Sequence, residues 1–181
     1  MQKYLTQSPH QRGFTLLIAI LVISIVLAIG LSVLNITLKE FILSGIARES
    51  TIALNAADAG MECALYWDRS SQGGRFNVGA SGSNITCMGQ SRPSGGGTSG
   101  TAQHFEFEWG QTPTLKVCAK VDVTKYLSAS GDINMGGTCS GSPCICPEGV
   151  ICTRTVSLGY NTGCSEVTSP RAVERGLRAR Y

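Results

Sequence analysis

The chain has 181 residues, eight cysteines, two histidines and a formal net charge of +3. Two of its 15 basic residues, Lys3 and Arg12, precede the first long apolar segment, so the remainder carries 15 − 2 = 13 basic against 12 acidic residues. This near-neutral balance gives no reason to expect a nucleic-acid partner, and the length beyond the apolar segment suffices for only one small globular domain.

The N-terminal part of the sequence predicts a membrane-spanning helix. The apolar run starts at Phe14 and meets no charged residue before Lys39. About twenty apolar helical residues are needed to cross a hydrocarbon core of roughly 30 Å. Residues 1–13 contain two basic residues and no acid, which predicts that they lie on the cytoplasmic side. We therefore expect a single-pass anchor over 14–38 in the cytoplasmic membrane, with the C-terminal domain outside the cytoplasm.

The sequence Arg12-Gly13-Phe14-Thr15-Leu16-Leu17 favours one kind of processing over another. A secretory signal peptide would have a shorter apolar core and a small-x-small cleavage site, for which 24–28 is only a weak candidate. A short basic leader, a Gly, then Phe and an apolar helix resembles the class III leader of type IV prepilins and type II secretion pseudopilins. The resemblance implies that a prepilin peptidase removes the leader, 1–13, by cutting after Gly13, and that it methylates the new N-terminal Phe14.

Ile18 departs from the pattern of that family. The usual residue four positions after the Phe is a Glu, which neutralises the N-terminal ammonium of a neighbouring subunit during assembly. A carboxylate in lipid is costly unless it is paired, and a subunit with nothing above it has no ammonium to meet. In this respect Ile18 resembles the tip-type pseudopilins. The resemblance implies a minor pilin or pseudopilin, located at the tip or priming assembly.

This resemblance also implies a set of partners and a final location. The partners would be other pilin or pseudopilin subunits, reached through the N-terminal helix, together with the prepilin peptidase, the inner-membrane assembly platform and the cytoplasmic membrane. After assembly the chain would belong to a cell-surface filament or a pseudopilus.

Residues 39–68 predict an amphipathic helix of the head. No proline occurs there, and apolar residues recur at helical spacings, namely at Ile42, Ile46, Ala53, Ala57, Met61 and Ala64 or Leu65. The small residues of Ala56-Ala57-Asp58-Ala59-Gly60 would allow another element to pack closely. With Met61 and Glu62 they also resemble the "AAxAGxE" segment of minor pilins. Periodicity alone does not distinguish a pilin spine from a helical stalk that joins an anchor to its domain.

The rest of the chain predicts a loop followed by a sheet. Residues 69–103 are rich in Gly and Ser and are predicted to connect helix and sheet. Alternating apolar and polar residues over 104–109, 115–124, 153–160 and 175–181 predict four strands, with Val156, Leu158 and Tyr160 alternating in the third. The predicted fold class is α+β: a long N-terminal helical spine packed on a small antiparallel sheet within 104–181. The resemblance makes this a pilin-like head with disulfides.

All eight cysteines follow the apolar segment, as expected for a disulfide framework in an oxidising compartment. Position favours a bridge between Cys118, on a central strand, and Cys164, and another between Cys63, near the helix end, and Cys87. The remaining four cysteines would form two local disulfides within a Cys-rich loop over 139–152. These are Cys139, Cys144, Cys146 and Cys152. Eight cysteines allow 105 connectivities, so other pairings stay open.

Two chemical alternatives exist for the Cys-rich loop. Its C-x4-C-x-C-x5-C spacing matches neither of the paired knuckles of zinc sites, and an exported setting favours disulfides over a reactive dithiol at Cys144 and Cys146. We expect no metal and no cofactor. His104 is the only histidine beyond the leader and has no nucleophile motif, so no catalytic residue is assigned and no enzyme is expected.

Two further alternatives concern function. The chain could be a single-pass, membrane-anchored and disulfide-rich extracellular binding module of the adhesin type. The basic C-terminus contains Arg171, Arg175, Arg178 and Arg180, which is the composition of a charged edge strand. Contact of these arginines with acidic partners or DNA is a less favoured reading.

Overall fold

The computed structural model describes residues 10–69, 74–79, 83–94, 98–110, 116–127, 131–139 and 142–181. Most of the predicted leader, 1–9, therefore lies outside the described residues. The chain divides into two compact units, Met1–Ile46 and Ala47–Tyr181. The elements in chain order are α1 (His10–Arg69), β1 (Ser83–Cys87), β2 (Gln90–Ser94), β3 (Ala102–Gly110), β4 (Lys116–Leu127), β5 (Ile133–Cys139), β6 (Ser142–Cys146), β7 (Ile151–Tyr160) and β8 (Glu174–Arg180).

Helix α1 contains both predicted helical segments, 14–38 and 39–68. It continues without interruption because the chain has no proline between Pro9 and Pro93 and therefore loses no backbone donor within the helix. The Gly-rich sequence that follows Arg69 favours the end of a helix.

The head contains a four-stranded antiparallel sheet with the order β3-β4-β7-β8. Its strands correspond to the four predicted from alternation, and β4 continues three residues beyond the predicted Thr124. Leu115, the predicted start of that strand, lies outside the described residues. Together with the packed helix, this sheet makes the head an α+β fold.

Two hairpins lie where the sequence predicts only loops. Strands β1 and β2 form an antiparallel hairpin inside the predicted connection 69–103. Its turn is made by Met88 and Gly89, whose φ angles of 48° and 75° are those that a tight hairpin turn requires. The composition of this stretch does not indicate strands, because Ser, Gly and Pro are poor strand formers and the buried core residues of the hairpin are just Ile85 and Cys87 among those described.

Strands β5 and β6 form the second unpredicted hairpin, which includes much of the Cys-rich segment. The pairing shifts register between Asn134 and Thr138, where Gly136 and Gly137 both have positive φ. A register shift of this kind breaks the two-residue alternation on which strand prediction depends.

Small residues bring the second half of α1 close to the sheet. Ala53, Ala56 and Ala57 are fully buried, and a methyl group added to Gly159 of β7 would overlap the backbone of Ala53 and Ala57. A methyl group on Gly60 would in turn overlap the Ser157 hydroxyl. The small-residue segment of the helix therefore forms the helix–sheet interface.

This close approach also decides which face of β7 is buried. In the predicted alternating set Val156 and Leu158 are only half-buried and Tyr160 is buried, whereas Thr153, Thr155 and Ser157 on the other face are all buried. Branched apolar side chains would hold the helix away from the sheet, so the inward positions carry small or hydroxyl-bearing residues.

An aromatic core fills the space between the sheet and the first hairpin. Phe76, Phe105, Phe107 and Trp109 form a stacked row with ring centroids 5.8, 6.3 and 5.4 Å apart. Offset stacking of this kind adds to the free energy of apolar burial. Ile85 is completely buried beside this row and joins the β1–β2 hairpin to the core.

Candidate functional site

The first candidate site is the apolar surface of α1 within the N-terminal unit. Every residue from Phe14 to Ile46 is exposed, including Phe14 at 67% and Ile18 at 45%. Soluble monomers rarely expose a contiguous apolar patch of more than a few hundred Å², so a surface this long indicates contact with lipid or protein. The helix is long and apolar enough to cross a membrane.

The few polar groups in this segment are satisfied by the helix itself. The Ser24 hydroxyl donates to the Leu21 carbonyl at 2.8 Å, and the Thr37 hydroxyl donates to the Val33 carbonyl at 2.8 Å. An apolar environment cannot hydrogen-bond such groups, so internal satisfaction is what a lipid-exposed helix needs.

The predicted processing and assembly residues are neighbours on α1. Gly13 and Phe14 lie in its second turn, and Ile18 follows Phe14 by four residues, which places both side chains on one helical face. Between Phe14 and Glu40 the sequence contains no carboxylate. A positive charge at Phe14 would therefore find no acidic partner on its own helix before Glu40, about seven turns further along.

The eight cysteines form four disulfides in the head. Cys63 of α1 is bonded to Cys87 of β1, and Cys118 of β4 is bonded to Cys164 after β7. The Cys139–Cys144 bridge closes the β5–β6 hairpin, and the Cys146–Cys152 bridge ties β6 to β7. Cysteines bonded in this way have no thiolate to offer zinc or a redox partner. Among the described residues no group of three or more His, Cys, Asp or Glu is arranged to hold a metal.

Paired acidic and basic side chains cover the outer face of β3 and β4. His104 Nδ1 lies 2.7 Å from Asp122 Oδ1, Lys120 Nζ lies 3.1 Å from Glu106 Oε2, and Lys116 Nζ lies 2.7 Å from Glu108 Oε1. The pKa of Glu108 is lowered, chiefly by the hydrogen bond from Lys116 and next by the backbone N–H of Cys164. Among the described residues of this face, each of these three acidic side chains has a basic side chain as its partner.

A buried ionic cluster joins the end of α1 to the sheet. Lys125 Nζ lies 2.6 Å from Asp68 Oδ1, and the Tyr181 hydroxyl donates to Asp68 Oδ2 at 2.8 Å. Burial and the Asp68 carboxylate raise the pKa of Tyr181. The sequence analysis did not predict this cluster. One signal was present: Lys125 continues the two-residue alternation of the buried Val121 and Val123, which places its side chain on the inner face of β4.

A groove of about 310 Å³ lies between the first hairpin and β3. Its lining residues are Arg92, Pro93, His104, Phe105 and Glu106. Among the described groups the Arg92 Nε atom is buried without a hydrogen-bond partner, although its Nη2 donates to Gln90 at 2.9 Å. The groove has the mixed apolar and polar lining of a small binding site.

Comparison with protein-family models, curated proteins and solved structures finds no match for this chain. Its function is therefore inferred from its own residues. Gly13, Phe14 and Ile18 belong to the N-terminal unit, and all eight cysteines belong to the head.

Proposed function

We propose that the chain is a minor type IV pilin or pseudopilin, a structural and assembly subunit of a type IV pilus-like or type II secretion-like filament. The observation that carries the proposal is the Gly13-Phe14 junction at the start of an apolar, fully exposed helical surface. This arrangement combines a processing signal with a surface that only lipid or neighbouring helices can cover.

The two parts of α1 support different roles in such a subunit. Residues 14–38 are uncharged, which suits first a membrane and then a bundle of like helices. Residues 47–69 carry the small side chains that pack on the sheet. A subunit built in this way offers an apolar element for assembly while it keeps a folded head, braced by four disulfides, outside the membrane.

The proposed partners and location follow from these roles. A prepilin peptidase would cut after Gly13 and methylate Phe14, and the apolar helix would then bind other subunits on an inner-membrane assembly platform. Before assembly the chain would be a single-pass protein of the cytoplasmic membrane, and afterwards part of a surface filament or pseudopilus.

Ile18 supports a tip or priming position over a place along the shaft. Phe14, once its amine is freed, would be a cation in an apolar setting, which is costly without a carboxylate. A subunit that carries Ile18 cannot neutralise the amine of a subunit stacked above it. The subunit at the top of the filament has no subunit above it and therefore no amine to neutralise.

Immunogold labelling of filaments from a producing strain tests this position. We expect label at filament ends for the wild-type chain, and label spaced along the shaft for Ile18→Glu, with unchanged removal of the leader. Ile20→Glu is the matched control, because it adds the same charge two residues further along, on the opposite face of the helix, and should lower incorporation without redistributing the label. Regular label along whole wild-type filaments would contradict the tip position.

The groove beside Arg92 favours a second candidate function, a membrane-anchored binding module. Such a module needs no prepilin peptidase and would keep residues 1–13 in the mature chain. The mature N-terminus therefore distinguishes the two candidates.

A further inference from the structure

Two arginines face each other on adjacent strands at the edge of the sheet. Arg154 of β7 is directly opposite Arg180 of β8 in the antiparallel register. Their neighbours Thr153 and Thr155 are buried toward α1, so alternation places both arginines on the outer face of the sheet. Like charges directly opposite each other on neighbouring strands are destabilising, so this pair requires an explanation.

Neither arginine has an acidic partner within the described part of the chain. The acidic side chains paired there all have His104 or a lysine as the partner. Among the described groups, Arg154 donates to the Met135 carbonyl alone, through Nη1 at 3.4 Å, and the Nε atoms of both arginines are buried without a partner there. The acid of the outer face closest in register, Asp122, lies opposite Val156 and accepts a hydrogen bond from His104. Two guanidinium groups are thus left with unused donors.

The β5–β6 hairpin shapes the space around both guanidinium groups. A methyl group on Gly137 would overlap the guanidinium of Arg180, and one on Gly136 would lie 3.8 Å from Arg154 Nη1. The hairpin is held by the Cys139–Cys144 bridge. The two glycines at the register shift of β5 therefore lie beside both arginines and contribute no side chain that could neutralise them.

We propose that Arg154 and Arg180 form a clamp for a tetrahedral oxyanion, a phosphate or sulfate group. A guanidinium presents its N–H donors in a planar fork that matches such oxygens, and a dianion supplies two negative charges to two positive ones. The bound group would replace the repulsion between the arginines by charge-assisted hydrogen bonds to both. Arg178, exposed on the same face opposite Val156, adds positive charge at the rim. This site does not depend on the proposed role in a filament.

The test measures phosphate binding to the full chain in a maltoside detergent, which itself carries no phosphate. Inorganic phosphate is titrated at constant ionic strength against chloride, with calorimetric heat and the thermal unfolding midpoint as readouts. We expect saturable binding and a rising midpoint for the wild type. Arg154→Gln and Arg180→Gln should each weaken binding about tenfold or more, because each removes charge-assisted hydrogen bonds. Arg171→Gln makes the same change of net charge elsewhere and should leave binding intact.

The midpoint without phosphate separates binding from a purely structural role. Removal of one of two repelling charges should leave that midpoint unchanged or raise it. Arg180→Lys keeps the positive charge but lacks the planar guanidinium. It replaces the Gln variants in the test if they do not fold, and it should bind phosphate more weakly than the wild type. The clamp is contradicted by the absence of saturable binding, by an equal loss in Arg171→Gln, or by variants with unaltered phosphate binding.

Glycerol phosphate, used as a second probe, identifies the source of the oxyanion. Binding as tight as that of inorganic phosphate would support an esterified phosphate, such as a lipid headgroup. Binding of inorganic phosphate alone would support the free ion. Both outcomes support the clamp.

Discussion

Asp68 and Lys125 form a buried ion pair, with 2.6 Å between the carboxylate Oδ1 and Nζ and side-chain exposures of only 3% and 8%. Asp68 lies in the last turn of α1, and Lys125 lies near the end of β4. The Tyr181 hydroxyl and the Thr153 hydroxyl donate to the same carboxylate. The helix end, a central strand and the C-terminal residue therefore meet at one charged group.

Removal of one partner of this pair should destabilise the head strongly. Lys125→Met leaves Asp68 buried without its cation, and we expect a loss of about 3–5 kcal/mol in the free energy of unfolding. Lys120→Met is the control, because it breaks a pair with Glu106 that is much more exposed, at 26% and 42%, and should cost less than about 1 kcal/mol. Denaturant unfolding of the full chain in detergent, followed by tryptophan fluorescence, measures both. Similar small losses in the two variants would show that the buried pair contributes little.

The helix–sheet contact should not tolerate a methyl group at Gly159. Because the clashing atoms belong to the backbone of Ala53 and Ala57, relaxation is difficult, and Gly159→Ala should cost about 3 kcal/mol. Gly45→Ala is the comparison: nothing lies within 4 Å of the added group, and the change favours the helix by up to about 1 kcal/mol. The same unfolding experiment compares the two. A neutral Gly159→Ala would mean that the helix lies further from β7.

The disulfides should differ in their contribution to stability according to the loops they close. The Cys118–Cys164 bridge spans 46 residues and the Cys139–Cys144 bridge spans 5. The chain-entropy model predicts losses of about 4 and about 2 kcal/mol when each pair is replaced by alanine. Thermal unfolding of the two double variants measures the difference. A larger loss for the short bridge would indicate that hairpin geometry outweighs loop entropy.

Alkaline pH should destabilise the head partly through Tyr160. Burial and the hydrogen bond to Glu174 raise the pKa of Tyr160 from its usual 10.0 to about 12. The folded state then holds a proton that the unfolded state has released, so its stabilising effect is complete below pH 10.0 and is lost as pH rises toward about 12. Tyr160→Phe should lose stability less steeply over that range, with Tyr181 still contributing. Parallel pH dependences of the two proteins would contradict this assignment.

The regular strands could be predicted because their alternation is a local property. Phe105 and Phe107 alternate with His104 and Glu106, and the pattern predicts both the strand and its buried face. The hairpins β1–β2 and β5–β6 could not be predicted in this way. The first depends on a tight turn at positive φ, and the second on a register shift at positive φ and on cystines; none of these features produces an apolar period.

The inner face of β7 and the buried ion pair between Asp68 and Lys125 could not be predicted without the fold. Val156 and Leu158 look like core residues until the closeness of α1 is known, because close packing selects Ser157 and Gly159 for the inner face. Lys125 lies on the same face of β4 as the core residues, but a lysine is not expected to be buried. Its partner Asp68 is 57 residues away in the sequence, so the pair is recognised only in the folded structure. The register that sets Arg154 opposite Arg180 likewise appears only once β7 and β8 are paired.

The mature N-terminus tests the central proposal most directly. The chain is isolated from membranes of a host that has its prepilin peptidase, and intact mass and N-terminal peptide sequence are determined. We predict a chain that lacks residues 1–13 and begins with N-methylated Phe14, and no such product from a host without the peptidase. A chain that retains Met1–Gly13 in both hosts, or one cut beyond the apolar helix, would contradict the assignment to a pilin-type filament.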